Sequence, residues 1–543
     1  LDISLRHGEE EIEPVGPVTV TFSGLDTEGL YPKVYHIDTE AQEVTDMEAI
    51  KDEAGDITMS TDHFSTYDIS LRAAKDIDGS QLGSIANGGS FRLTSDATWN
   101  EPITITQDTD LDLNGFGVYY QGTGSFLVVS SDATLTIMDS KPPEEKPVTP
   151  DDGSDLYGNA ASLTFADNGS QPSMLTYYVT ESSPSDTGTS ETLKKYKVSP
   201  KGFIVGTATG TIVTVNSGGT FHLDGGLLTR KSNGDGHIIS NNGTLNLTGG
   251  YVAGGNSSGW GGGVYSNGTV SMTSGVIAAN SGNSGGGMFL DGGSFTMNGG
   301  IISGNKTHAY IGEAGNTNYA LGGGIFAKNA TITINGGYIT NNCENGACNQ
   351  DSYGCHGGGG IATIGGNLTM AGGYVTGNRS TEAGGGMYVG HYNVAGTAFT
   401  MTGGTVASNC ATDSEGGGIR ISGGTNGTIE ASGDKVYITN NCTNSDFDWG
   451  GGGIFVQRNG HLVITSSLIT NNSAGGFGGG VGACPTGKTL IVNEDGAAIY
   501  GNEASGEHMS GGGNGKDYDT ELASKSDVFK SSGYKDYFCV RDR

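Results

Sequence analysis

Over most of its length the chain alternates apolar and polar residues in short runs, each closed by Gly, Asn, Asp or Ser. FRLTSDATWNEPITITQDTDLDLNGFGVYY (Phe91 to Tyr120), FLVVSSDATLTIMDS (Phe126 to Ser140) and NATITINGGYITNN (Asn329 to Asn342) show the pattern. Alternation with a period of two predicts strands with one face buried, and the absence of a 3.6-residue period removes support for βαβ folds. No run is long enough to bury a core alone.

A longer period organises these runs. GGG recurs at Gly261, Gly285, Gly322, Gly358, Gly384, Gly416, Gly451 and Gly478; the closest motifs are 24 residues apart (261 to 285) and the widest 37 (285 to 322). Between motifs lies a second run, as in GSFTMNGGIISGN (Gly293 to Asn305) and GNLTMAGGYVTGN (Gly366 to Asn378). Each coil therefore reads as three short strands, and stacked coils bury their inward Val, Ile, Leu, Met and Phe as one continuous core. The expected fold is all-β: a right-handed parallel β-helix solenoid preceded by a small β-sandwich module. Like residues of successive coils then lie about 4.8 Å apart. Asn305, Asn342, Asn378, Asn409, Asn441 and Asn472 occupy one slot and are expected to form an internal amide ladder. Trp-Asp blade signatures and a repeated array of calcium-binding GGxGxDx units are absent.

The period also sets the boundaries. Residues 1–72 are a separate acidic module or spacer with runs such as VTVTF (Val18 to Phe22), and their opening LDISLRHGEE reads as a processing boundary without a signal peptide. Residues 85–515 form the solenoid. Within it residues 141–202 break the pattern with a Pro-rich acidic loop and an expected β-hairpin lying over one face. Residues 516–543 are expected to cap the open end, because uncapped coils expose strand edges.

Composition narrows the partners. With 58 Asp and Glu against 27 Lys and Arg and a formal charge of -31, the chain repels phosphate backbones, so nucleic acid is not an expected partner. No apolar run reaches the roughly 18 residues of a transmembrane helix, and no cofactor is expected. The seven Cys all fall after residue 342 and match no zinc spacing. Cys410 and Cys442 share a coil position and are expected to bridge adjacent coils. Cys343, Cys348 and Cys355 would pin one insertion with one bond, a reading preferred to a nucleophilic Cys beside His356. An outward apolar stripe long enough to argue an oligomer is lacking.

The excess residues of the longer coils fall just before GGG motifs, at 306–321, 343–357, 410–415 and 442–450, so these loops should line one face. Aligned on the motif, Asp413 and Asp448 are equivalent, with Glu415, Asp446, His356 and Trp449 nearby. Two close carboxylates repel, which raises one pKa and sets an acid beside an ionised partner, as glycoside hydrolysis requires. Catalytic candidates are therefore Asp413, Asp448, Glu415 and Asp446, with Glu344 and Asp351 as a second pair. Trp449, Phe447, His356, Tyr353, Tyr319, Glu382 and Arg420 are candidate substrate contacts. A calcium ion held by the same carboxylates and a merely solvated acidic rim are the alternatives.

The GGG coils resemble the right-handed β-helix superfamily of pectin-lyase-like proteins, most closely the Gly-rich surface proteins and carbohydrate-active enzymes of gut Firmicutes. FSTYDISL (Phe64 to Leu71) resembles the small β-sandwich modules of Gram-positive surface proteins. That superfamily includes lyases, hydrolases and adhesins, so fold alone does not choose an activity. A lyase would want a cationic face for polyuronate, against the charge here, and the GIRIS and GCHGG fragments lack the paired Asp motif of polygalacturonases. Among the hydrolases the chain looks most like the lacto-N-biosidases of glycoside hydrolase family 136, although no motif beyond the coils carries that family's catalytic residues over. The expected function is an extracellular, secreted or surface-attached glycosidase acting on neutral milk or mucin oligosaccharides. The alternative is a non-catalytic adhesin or glycan-binding stalk.

Overall fold

A computed structural model describes residues 66–504 except 152–153, 167–169, 186–187, 207–208, 232–235, 309–319, 346–355, 392–393, 434, 445–449, 477, 485–486 and 492–497. It also describes short strands before residue 66 and the strand Tyr537–Cys539. The chain is an all-β parallel β-helix. Among the described residues, three parallel sheets of fourteen, thirteen and thirteen strands run along it, and each coil contributes one strand to each. In one coil Thr331–Ile334 lies in the first sheet, Tyr338–Thr340 in the second and Ile361–Ile364 in the third.

The inward residues of these strands form one core. Ile332, Ile334, Ile339 and Ile361 are essentially fully buried and belong to a cluster that runs from Ile77 to Ile499. Burial of each such side chain contributes about 1.5–3 kcal/mol, which lets strands of three or four residues persist. A 3-10 helix at Gly79–Asn87, capped by the Asp78 carboxylate, tucks Leu82 and Ile85 into the first end of this core. At the other end Tyr537–Cys539 pairs in parallel with Val481–Ala483, adding a last strand to the third sheet; the rest of the expected cap lies outside the described residues.

A fourth ladder, of two-residue strands, adds to the three strands expected per coil. Among the described residues eight such strands, from Ser281–Gly282 to Glu503–Ala504, stack between the second and third sheets. The ladder of buried Asn residues lies just before it and extends one coil further at each end than expected, from Asn280 to Asn502. Within it the Asn409 amide donates to the Val375 carbonyl at 2.8 Å and to Asn441 Oδ1 at 2.9 Å. The glycine triplet follows from this packing. Gly416 has φ +75°, a Cβ on Gly417 would lie 2.2 Å from the Cys442 carbonyl oxygen, and one on Gly418 would lie 2.9 Å from the Asn441 side chain.

The insertion forms four antiparallel strands, Glu144–Val148, Gly188–Ser199, Pro172–Ser185 and Ser162–Phe165 in sheet order; the expected hairpin is its central pair. It lies on the second sheet, where Leu175, Tyr177 and Val198 pack with Phe203, Leu227 and Val276. Polar contacts lock it: Thr180 N–H donates to Thr340 Oγ1 at 3.1 Å, and Asn440 donates to the Glu191 carboxylate at 2.7 Å. Before residue 74, Val18–Phe22, Ile57–Thr61 and Ile50–Lys51 form one antiparallel sheet, and Glu43–Asp46, Leu30–Asp38 and Thr66–Ala73 another.

Candidate functional site

The loops that precede the GGG motifs do stack in register. Backbone N–H groups of Gly322, Gly358, Gly384 and Gly416 donate at 3.0–3.1 Å to the carbonyls of Gly357, Ala383, Glu415 and Gly450. The residue before each motif therefore forms a column that lies over the outer face of the third sheet. Leu321 and Ala383 in that column are buried against Phe326 and Tyr388.

Glu415 occupies the same column and is buried with them, 7% exposed. Beneath it lies Arg420, whose register partners in the third sheet are Tyr388 and Phe455. Arg420 is 3% exposed; its Nε donates to Glu415 Oε1 at 3.0 Å, Nη1 donates to Ser422 Oγ at 2.6 Å, and the guanidinium lies 4.5 Å from the Tyr388 ring centroid. Ser414 donates to the other Glu415 oxygen. Burial works against the Arg420 charge, but Tyr388 and Glu415 outweigh it and raise its pKa. Glu415, a catalytic candidate, and Arg420, a candidate substrate contact, are each other's partners, buried under the loop. Burial pushes the Tyr388 hydroxyl up, and burial with the Arg420 charge pushes the His391 imidazole down.

Asp413, two residues earlier, is exposed. Its loop is anchored through Thr412, which donates to the Thr381 carbonyl at 3.1 Å in the preceding coil. Glu382, half-buried, belongs to that coil, one register step from Asp413. Glu344 is fully buried in the fourth ladder, where its carboxylate accepts from Ser380 Oγ at 2.8 Å and Thr381 Oγ1 at 3.1 Å. Asp351, Tyr319, Tyr353, Asp446, Phe447, Asp448, Trp449 and the His356 side chain lie outside the described residues. Glu382, Asp413 and Glu415 are thus brought to neighbouring coils, with Glu415 turned inward.

The expected bridge between coils is present, Cys410 to Cys442, with Cα atoms 4.6 Å apart. Cys343 is a free thiol pushed up to about 11 by burial and the nearby Glu344, and Cys484 is pushed up to about 11 by burial and Glu415. Both are protonated near neutrality, which does not suit a nucleophile. Cys348 and Cys355 lie outside the described residues. Among the described residues no three His, Cys, Asp or Glu side chains gather as a metal site requires, and no helix is long and apolar enough to cross a membrane.

An aromatic group outside the candidate set lies further up the same column. Trp260 precedes the first GGG motif and packs on Phe289, ring centroids 4.8 Å apart, while the Tyr265 hydroxyl donates to Asp291 at 3.4 Å. The signal was available: Trp260 holds the slot of Leu321 and Glu415. No family model, no curated protein and no solved structure matches the chain.

Proposed function

We propose that this chain is an extracellular glycan-active protein, a glycosidase that takes neutral milk- or mucin-type oligosaccharides on the face formed by the loops before the GGG motifs. The observation that carries the reading is the register of those loops, with Glu415 and Gly450 partnered in adjacent coils through the Gly416 N–H at 3.0 Å. Asp413 and Asp448 each stand two residues before that pair in sequence. In the proposed reaction one of the two protonates the leaving oxygen while the other attacks the anomeric carbon or activates water. The buried Glu415–Arg420 pair holds the base of the loop and leaves its tip to substrate. The disulfide between coils supports an oxidising, extracellular setting.

The test is hydrolysis of a neutral milk and mucin oligosaccharide panel by the full chain, Asp413→Ala and Asp448→Ala. Release by the parent alone, with all three folded, supports the glycosidase. A second reading, a non-catalytic adhesin, is favoured by one observation: Glu415, Glu344 and Arg420 are committed to packing, leaving Asp413 as the one exposed carboxylate of the candidate set among the described residues. Glycan binding without release in any of the three proteins would establish that reading and end the first.

A further inference from the structure

The outer face of the first sheet carries one pattern over six consecutive rungs. TLNLT from Thr244, TVSMT from Thr269, SFTMN from Ser294, TITIN from Thr331, NLTMA from Asn367 and AFTMT from Ala398 pair in parallel and in register. The second and fourth residues of each rung, such as Ile332 and Ile334, are buried in the core, so the first, third and fifth point outward. Those outward positions hold Thr, Ser and Asn, with Ala at Ala371 and Ala398, and no charged residue. Thr269, Asn298, Thr331, Asn335 and Asn367 are exposed.

The face is flat because its borders carry nothing that rises above it. Two residues lead into each of the first five rungs and three lead out. The turn that leaves a rung is glycine for a steric reason. A Cβ on Gly299 would lie 2.3 Å from the Thr273 carbonyl oxygen, one on Gly336 2.4 Å from that of Asn298, and one on Gly372 2.3 Å from that of Asn335. Behind the face the continuous core holds the rows rigid, and along it Asn335 donates to Asn298 Oδ1 at 2.8 Å. Three rows of hydroxyls and amides result, spaced about 4.8 Å from coil to coil, on a chain whose formal charge is -31.

We propose that this face docks on the surface of a solid, neutral polysaccharide; this goes beyond the glycosidase reading and does not rest on it, because the first sheet is not the one that the GGG loops cover. A partner for a charge-free face is itself uncharged, and one for Thr, Ser and Asn offers donors and acceptors together. A partner for evenly spaced rows repeats. Polysaccharide chains packed side by side meet all three conditions with rows of hydroxyls. Each hydrogen bond made in exchange for water contributes only about 0.5–1.5 kcal/mol, and for a soluble chain the ordering of its flexible units offsets that gain. In a solid the order already exists, so the bonds of successive rungs add. A second copy of the protein fits the face less well: six rungs span about 24 Å by 13 Å, roughly 300 Å², against about 800 Å² per partner in a stable protein interface.

The experiment is co-sedimentation of the full chain with microcrystalline cellulose and, in a second arm, granular starch. Thr331→Lys, Asn335→Lys, Asp413→Ala and, as a control outside the face, Ser173→Lys are run beside it, each checked by thermal melting and sedimentation velocity. The docking face predicts that the parent pellets with at least one of the solids and that Thr331→Lys and Asn335→Lys each weaken binding about tenfold or more. Ser173→Lys and Asp413→Ala should pellet as the parent does. Thr331 and Asn335 are both exposed, so either variant serves if the other fails to fold. A parent that stays in solution with both solids, lysine variants on the face that pellet undiminished, or displacement by soluble cellohexaose would overturn the docking face. A dimer of the free chain that the lysine variants dissolve would give the face to a second copy and overturn it as well. None of these outcomes bears on hydrolysis at Asp413, which the oligosaccharide panel reads separately.

Discussion

The side-chain amide of Asn409 donates to the side-chain oxygen of Asn441 at 2.9 Å, one link in a buried file that runs from Asn280 to Asn502. Each amide oxygen in the file from Asn305 onward also takes the backbone N–H of the Asn before it, as Asn441 Oδ1 takes that of Asn409 at 3.0 Å. The file thus hydrogen-bonds one coil to the next away from water.

Asn409→Ala should cost about 3 kcal/mol or more, because it strands the buried backbone and side-chain N–H donors of Asn378 and removes the side-chain donor to the Val375 carbonyl. Asn335→Ala should cost well under about 1 kcal/mol, since Asn335 is exposed and its bond to Asn298 faces solvent. Urea denaturation of both variants gives the comparison; equal losses would mean that the file is not what binds the coils.

Reduction of Cys410–Cys442, or the double change to Ser, should lower stability by about 2–4 kcal/mol. The measurement is a melting curve with and without reductant. A curve unmoved by reductant would place the coil junction's stability wholly in the ladders around the bridge.

Glu415 and Arg420 should behave as a buried pair. Arg420→Ala is expected to cost about 3–5 kcal/mol by leaving the Glu415 carboxylate unpaired, whereas replacing both, Glu415→Leu with Arg420→Met, should recover most of the loss. A Glu415→Gln protein that melts with the parent yet loses all glycan turnover would contradict this and return Glu415 to the chemistry.

His391 gives the stability a pH dependence. Burial and Arg420 hold its folded pKa below the ordinary 6.5, so above that value both folded and unfolded chains carry it neutral and it has no effect. As pH falls below about 6.5 the unfolded chain takes up the proton first, and stability drops by at most about 1.36 kcal/mol per pH unit until the folded pKa is reached. Denaturation of the parent and His391→Gln between pH 7.5 and about 5 should show the variant losing less. Parallel pH profiles would show that the imidazole protonates without cost.

The stacking of coils was legible because it is written in periodicity. The GGG slots, the Asn slot and the alternation of TITI and NLTM each repeat once per coil, and repetition at a fixed spacing has no other economical fold. The shared slot of Cys410 and Cys442 followed from the same alignment. The fourth ladder was not legible, since strands as short as Lys306–Thr307, Arg379–Ser380 and Ser473–Ala474 have no internal pattern and differ from coil to coil. They exist because the chain must turn between the second and third sheets, and neighbouring coils pair wherever backbones run side by side.

The candidate face divides the same way. Alignment on GGG puts Asp413, Glu415 and Glu382 on neighbouring coils, and the loop backbones hold that register, because register is a property of sequence spacing. Whether a side chain in that register faces water or the sheet depends on what lies beneath it. Glu415 reads as one more loop carboxylate, yet its column, shared with Leu321 and Ala383, turns inward, and Arg420 stands where neighbouring coils carry Tyr388 and Phe455. Sequence by itself determined the solenoid, its core and its register. Tertiary structure alone decided which charges are neutralised in pairs and which loop residues turn in against the third sheet, because burial is set by the atoms of adjacent coils and not by a residue's own position along the chain.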